Sequence, residues 1–457
     1  MQKQNISPIS DAREMAVNLV YNIMESGAYA NLSLENALRS STLSQNDKNL
    51  VTELVNGSIR MIKHLDWVLN LFLRKSIHEQ NPLMRSVLRI AAYQIMFMER
   101  IPDYAAVNSA VDITRKKVNK TMAGVCNAVL RNLIRGKDDL SYPSINSLDY
   151  LSVYYSQPEW LVQLWLACYG AEVTEKMLAY MNHKPLLTLR LNSLRTDAET
   201  LARELTGEGV TSRPSELMHD SFVIEAMTTS IDQLNSYQSG KFYVQNEASM
   251  LAADVLDPQE GEHILDLCSG VGGKATHFAE KMKNKGIIKA VELYKHKLSI
   301  LNNNCQRLGI NIIAAEQNDI LTMDSDPVWQ RVFLDAPCSG LGVLNRRADA
   351  RWRKTPQEIN ELTQLQAALL EKAGEMTAPD GILVYSTCTV NPAENENIII
   401  SFLDKNHTFR LDPFADLISY FPLDQKDREM TKKGWLAIMP GKYGCDGMFY
   451  ARLRRSM

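Results

Sequence analysis

The segment Ile264-Leu265-Asp266-Leu267-Cys268-Ser269-Gly270-Val271-Gly272-Gly273-Lys274 sets an apolar run, a turn with three glycines and the start of a helical sequence in one line. Glycine lets backbone approach a ligand closely, and a helix start offers unpaired N–H groups. The pattern therefore predicts a strand, a ligand-binding turn and a helix over residues 275–283. Downstream, residues 287–292, 312–315, 332–335 and 382–386 are further short apolar runs. Helical stretches at 293–308 and 356–376 separate them. Alternation of this kind predicts a parallel, Rossmann-like α/β sheet with helices on both faces. In such sheets ligands bind at the carboxyl ends of the strands.

The candidate ligand residues lie at those ends. Glu292 closes the second strand, where a carboxylate can grip the two hydroxyls of a ribose. Asp319 follows the third and could meet an adenine amino group. The stretch from Gly270 to Ala275 also fits G-x-G-x-x-A, so a nicotinamide oxidoreductase is a competing reading. Asp266, at the end of the first strand, speaks against it: a carboxylate there suits an ammonium better than a pyrophosphate. A P-loop is excluded, because Cys268 and Ala275 occupy positions that need Gly and Ser/Thr.

The fourth strand runs into Asp335-Ala336-Pro337-Cys338-Ser339-Gly340-Leu341-Gly342, and the fifth into Tyr385-Ser386-Thr387-Cys388-Thr389. Two cysteines are thus expected in one cleft, with a carboxylate three residues before one of them. A single cysteine is usually a small buried hydrophobe; this pairing suggests chemistry. Carbon 5 of a cytosine is a poor nucleophile, and a thiolate adding to carbon 6 converts the ring to an enamine that attacks a methyl sulfonium. Asp335 could serve ring nitrogen 3, and a second cysteine could remove the proton from carbon 5. The chemistry alone does not say which cysteine attacks.

The rest of the 457-residue chain is too long for one core. Residues 1–140 show apolar positions at three- and four-residue spacing and predict an all-α bundle. A polar stretch at 138–146 with Pro143 reads as a linker, and residues 145–240 as a small α+β extension with a strand at 187–192. The catalytic domain is expected over 241–457. The first 137 residues hold 18 Lys+Arg against 11 Asp+Glu, although the whole chain has a net charge of −3. A basic front end suggests an anionic partner. The seven cysteines contain no C-x-x-C pair, which argues against a zinc cage or a disulfide framework. No apolar run is long enough for a membrane span, and Met1–Ser10 lacks a secretory pattern. A cytoplasmic protein, monomeric and without metal, is the expectation.

At this point a resemblance becomes specific. Residues 335–340, together with Ser386-Thr387-Cys388-Thr389-Val390-Asn391-Pro392-Ala393-Glu394-Asn395-Glu396, resemble the RNA cytosine-5 methyltransferase family. The stretches Gly240–Ser249 and Asp446–Tyr450 match as well. The resemblance implies that Cys388 attacks and Cys338 assists release. It also implies that Cys268, Ser269, Gly270, Val271, Gly272, Gly273, Lys274, Glu292, Asp319 and Asp335 contact S-adenosylmethionine. Leu88–Gln94, Ile101–Asn108 and Asn127–Arg131 resemble the NusB fold. That fusion is similar to the ribosomal small-subunit RNA methyltransferase B family, which implies small-subunit rRNA as substrate, with tRNA as the alternative. A flipped-out base in a single-stranded loop suits this design, and a non-catalytic RNA-binding module is the remaining competitor. Two departures stand out: Val271 where the family turn has proline, and Ala348 where a proline is common. Near the second, Arg346, Arg351, Trp352 and Arg353 are expected to meet phosphate and stack a base.

Overall fold

The computed structural model describes residues 11–324 and 329–457; the polar start Met1–Ser10 lies outside the described residues. The chain falls into two compact units. One comprises residues 11–184 with Leu344–Arg353, and the other Pro185–Val343 with Lys354–Met457. The expected divisions at 140, 145 and 240 do not coincide with this one. Helices Leu148–Tyr154 and Glu159–Tyr180 go with the front helices, and so does a ten-residue segment from the middle of the catalytic sequence.

The first unit is all α. Helices Ala12–Glu25, Gln45–Arg60, Ile62–Phe72, Pro82–Phe97, Asp103–Lys117 and Lys120–Gly136 surround one core. Pro82–Phe97 is central, buried on most sides through Val87, Leu88, Ile90, Ala91 and Ala92. Asn81 caps it by accepting from the Leu83 and Met84 N–H groups, and Pro82 occupies the first helical position. Arg89 forms a bidentate pair with Asp66 at 2.8 and 2.7 Å, which satisfies a buried guanidinium in that core.

The segment Leu344–Arg353 corrects an expectation. Arg351 and Trp352 do not form an RNA-facing loop. Arg351 is fully buried and donates to the carbonyls of Arg60, Ser156, Met181 and Leu344 and to Asn182 Oδ1, at 2.8–3.5 Å. The Trp352 indole N–H donates to the Ile59 carbonyl at 2.7 Å, and Ala348 sits in the helical core. Arg353 holds the Gly27 and Ala28 carbonyls and lies over the Tyr29 ring. A guanidinium satisfies several fixed carbonyls at once because its five N–H groups fan out in a plane. Alanine at 348 fits because it is buried there.

The second unit carries two sheets. The smaller comprises β1 (Leu187–Leu191), β2 (Val210–Pro214), β3 (Ser221–Met227) and β4 (Phe242–Val244), in the order β2-β3-β1-β4 and antiparallel. The larger comprises β5 (His263–Leu267), β6 (Ile287–Glu292), β7 (Ile313–Gln317), β8 (Trp329–Asp335), β9 (Thr377–Thr387), β10 (Phe409–Leu411), β11 (Trp435–Ile438) and β12 (Met448–Arg455). Its order is β7-β6-β5-β8-β9-β12-β10, with β11 paired to β12. Strands β5 to β9 are parallel, and β12 joins antiparallel to β9. The five parallel strands fall on the five apolar runs read from the sequence. The topology reverses direction between β5 and β8, so a crevice opens at their carboxyl ends. Among the described residues no helix is long and apolar enough to cross a membrane.

Arg351→Ala is expected to lower the stability of the helical unit by about 3 kcal/mol or more, because it orphans several buried carbonyls. Arg351→Lys should not rescue it; urea unfolding followed by far-UV circular dichroism reads both. His64 offers a pH test. Burial holds its imidazole down at about 4. Between pH 6.5 and 4 the unfolded chain binds a proton that the folded one excludes, so stability falls as pH drops through that window. The loss amounts to about 3 kcal/mol, and His64→Gln should flatten this part of the stability–pH curve.

Candidate active site

The turn after β5 is built to receive a ligand. Cys268, Gly270 and Gly272 all have positive φ (60°, 60° and 85°), which folds the chain back before helix Gly273–Lys281 begins. A Cβ on Gly272 would lie 2.8 Å from Leu301 Cγ, so only glycine fits both the angle and the space. The Gly270 N–H donates to Glu292 Oε2 at 3.0 Å, and the Tyr294 N–H to Glu292 Oε1 at 3.0 Å. Glu292 is therefore fixed at the end of β6, beside the turn. Val271 is more than a third exposed and its carbonyl accepts from Asn304. Asp319 is exposed and caps the short helical turn Ile320–Thr322 by accepting from the Leu321 N–H at 3.0 Å.

Two observations bear on what the turn can hold. Asp266 is buried with neither carboxylate oxygen hydrogen-bonded, and the Ser269 hydroxyl is likewise orphaned. Burial, and then the Asp335 and Glu292 charges, push the Asp266 carboxyl well above its ordinary range. A buried carboxylate without a donor is costly and calls for a cation or N–H group. The residues thus fit a ligand with an ammonium near Asp266 and a diol near Glu292. Three carboxylates here fit a pyrophosphate badly.

Across the switch point, Asp335 ends β8. Its Oδ2 pairs with Lys274 Nζ at 2.5 Å and its Oδ1 accepts from Ser386 Oγ at 2.9 Å. The parallel register sets Asp335 directly opposite Ser386. Beyond them the two chains turn toward each other, and Cys338 Sγ lies 3.4 Å from Cys388 Sγ. Both cysteines are partly exposed. The turns are knitted further: the Gly342 N–H donates to the Cys388 carbonyl at 3.0 Å, and the Gly447 N–H to the Gly342 carbonyl at 2.8 Å. A Cβ on Gly342 would come within 2.5 Å of the Gly447 oxygen, so that approach also requires glycine.

The other thiols differ. Burial first, then the nearby carboxylates, raises Cys268 far above an ordinary thiol; burial pushes Cys126 and Cys305 up to about 11. Cys338 is also held well up, by its contact with Cys388, by burial and by the charges of Glu394 and Asp335. It keeps its proton, so its S–H can donate to the Cys388 sulfur. The geometry thus brings Cys338, Cys388, Asp335 and Lys274 together. Cys268, Ser269, Gly270, Val271, Gly272, Gly273 and Glu292 line the adjoining turn.

Sequence reasoning gave no role to two residues that hold this site. Arg190 on β1 donates to Glu280 at 2.8 and 3.0 Å, to Thr276 Oγ1 at 3.0 Å, to the Gly273 carbonyl at 2.8 Å and to Gln245. It braces the first turn of the helix that follows the glycine turn. Its only sequence signal is a charged residue within an alternating strand. Glu394 is fully buried beneath the cysteine turns. Among the described residues no group of His, Cys, Asp or Glu side chains is arranged to hold a metal ion.

Comparison with known proteins agrees with this arrangement. A family model described as 16S rRNA methyltransferase RsmB/F matches residues 253–454. A NusB family model matches 10–135, and a ferredoxin-like domain model of RsmF/B-like methyltransferases matches 157–230. "Probable ribosomal RNA small subunit methyltransferase B" of Bacillus subtilis (strain 168) is 33% identical over 98% of this chain and 99% of its own length. The chain belongs to the RsmB/F methyltransferase family. The identically named protein of Synechocystis sp. is 34% identical over 97% of this chain and 99% of its own. The crystal structure of PH0851 superposes with a TM-score of 0.80 at 27% identity, covering 99% of this chain and all of the other. The helical unit accordingly carries the NusB-like part of this family, and the larger sheet its Rossmann-like methyltransferase domain.

Gly272→Ala is expected to weaken binding of the methyl donor at least ~10-fold, since the new Cβ must displace Leu301 and the backbone must hold a strained φ. Isothermal titration calorimetry checks this; an unchanged dissociation constant would remove the turn from the ligand site.

Proposed function

We propose that this RNA methyltransferase transfers a methyl group from S-adenosylmethionine to carbon 5 of a cytosine in small-subunit ribosomal RNA, through a covalent adduct on Cys388. One observation carries the reading: the two sulfurs stand 3.4 Å apart, at the same strand-end edge as Asp335 and the glycine turn. The names of the full-length relatives support ribosomal RNA as the substrate class. The carboxylates of Asp266, Glu292 and Asp335 favour a cationic methyl donor over a nicotinamide dinucleotide, whose pyrophosphate they would repel.

Asp266 would hold the cofactor's ammonium, Glu292 its ribose hydroxyls, and Ser269 and Gly270 its methionine end, with Asp319 at the adenine. When bound, the cofactor supplies an electrophilic methyl group on a sulfonium. Cys388 Sγ adds as thiolate to carbon 6 of the flipped base, forming a C–S bond. The partly exposed position of Cys388 leaves it open to an incoming base. Charge developing on the ring would be met at nitrogen 3 by Asp335 together with the Lys274 ammonium paired to it. Cys338, the sulfur that keeps its proton beside Cys388, stabilises the thiolate before attack. Once carbon 5 carries the methyl group, Cys338 gives up its own proton to solvent water and as thiolate takes the carbon-5 proton, nitrogen 3 returns any proton it gained, the C–S bond breaks and Cys388 leaves as thiolate. The basic surplus of the front helices would hold the surrounding RNA by its phosphates.

Cys388→Ala should abolish methyl transfer to a small-subunit rRNA transcript, a loss of at least ~1,000-fold, while cofactor binding survives. Cys338→Ala should instead trap a protein–RNA adduct, seen as a slow band on a denaturing gel. Normal turnover by Cys388→Ala would overturn the assignment, and bisulfite sequencing of the product RNA reads the methylated position.

A further inference from the structure

Beneath the two cysteine turns lies a carboxylate whose environment is unusual. Glu394 is fully buried, and among the described residues no lysine, arginine or histidine pairs with it. Its Oε1 accepts from the Ser339 backbone N–H at 2.8 Å and from Gln366 Nε2 at 3.1 Å. Its Oε2 accepts from Ser339 Oγ at 2.5 Å, Asn391 Nδ2 at 3.2 Å and Thr389 Oγ1 at 3.3 Å. Ser339 follows Cys338 in the chain, and Thr389 follows Cys388. Ser339 Oγ also lies 2.9 Å from Thr389 Oγ1, and Gln366 reaches on to the Pro337 carbonyl at 2.9 Å. One carboxylate therefore gathers donors from both turns and from helix Pro356–Met376.

We propose that Glu394 is a positioning residue that clamps the Cys338 turn to the Cys388 turn, so that the two sulfurs remain in contact through attack and release. This rests on the covalent mechanism above and extends it to the residue that fixes its geometry. A buried carboxylate without a counter-cation is expensive, and neutral donors offset that cost only when all of them converge. The arrangement makes the anion hold both loops at once.

The clamp is asymmetric. The Cys388 side has supports of its own. Asn395 accepts from Thr387 Oγ1 at 2.6 Å and donates to the Thr389 carbonyl at 3.0 Å, and β9 is flanked by β8 and β12. On the Cys338 side, Pro337 is held by Gln366, and Ser339 by Glu394 and Thr389. Removing the Glu394 carboxylate should thus free Cys338 more than Cys388. Release of the methylated base should then suffer more than attack.

The experiment uses the full-length protein, a small-subunit rRNA transcript and S-adenosylmethionine. Glu394→Ala should reduce turnover roughly 100-fold, the cost of a misplacement near 1 Å. It should leave the cofactor dissociation constant within about threefold, because the glycine turn lies on another strand end. It should also accumulate the protein–RNA adduct, as Cys338→Ala does. Glu394→Gln can keep its amide oxygen toward the Ser339 N–H and Gln366, while the Ser339 and Thr389 hydroxyls rotate to accept from its NH2. It should recover at least ~10-fold of the lost rate, and the adduct should fade. Near-normal turnover by Glu394→Ala, or loss of turnover without adduct in both variants, would overturn the clamp. If Glu394→Ala does not fold, Glu394→Gln decides alone: turnover as low as Cys338→Ala without adduct overturns the proposal, and partial turnover with some adduct supports it. Cys338→Ala and Cys388→Ala run alongside. Failure of those two controls would discredit the covalent mechanism itself, whereas failure of the Glu394 variants alone would discredit only the clamp.

Discussion

Everything at this site depends on the parallel pairing of β8 with β9, in the register that sets Asp335 opposite Ser386. Hydrogen bonds between neighbouring parallel strands fix their ends to within a residue. A slip of one position would turn over the faces of one strand relative to the other. Because the register holds, the chains leaving both strands turn at the same height. The Ala336 N–H donates to the Ser386 carbonyl at 2.9 Å as the pairing ends. Two cysteines 50 residues apart in sequence thus meet at 3.4 Å. The glycine turn after β5 lies one strand further along, so that turn and the sulfur pair share one edge of one sheet.

The sheet edge alone would leave the turns loose. Buried polar groups tie them down instead: Glu394 under the cysteines, Asn395 beneath Thr389, Glu292 behind the glycine turn and Arg190 on the helix that follows it. Each uses the same physics. A buried charge or amide is tolerated only when its donors and acceptors are matched, and matching several at once leaves one geometry. Asp266 and Ser269, beside the glycine turn, stay unmatched in the protein alone. Unmatched buried groups at a switch point are what a polar ligand would complete.

Much of this was legible from the residues. The five parallel strands, the strand at Leu187–Leu191 and the glycine turn follow from periodicity and punctuation, and the observed bounds differ from the expected ones by a few residues. The placement of Cys338 and Cys388 after neighbouring strands is also legible, because the order of the apolar runs is that of a parallel sheet. Arginine beside tryptophan has the composition of an RNA-facing loop, yet Arg351 is fully buried. Its burial is decided by the carbonyls of Arg60, Ser156 and Met181, far away in sequence. Glu394 sat in a motif that was recognised, yet nothing in the one-dimensional pattern says that its five donors come from three separate elements.

The sequence by itself determined the elements and the strand-end edge at which the glycine turn and the two cysteines lie, because these depend on local conformational preference. Tertiary structure decided which groups touch. The sulfur–sulfur contact, the Lys274–Asp335 pair, the buried Glu394 node and the packing of Leu344–Arg353 with the helices all arise from chain segments brought together only by folding. Hydrogen bonds and ion pairs act over about 3 Å, and at that range neighbours in space are not set by neighbours in sequence.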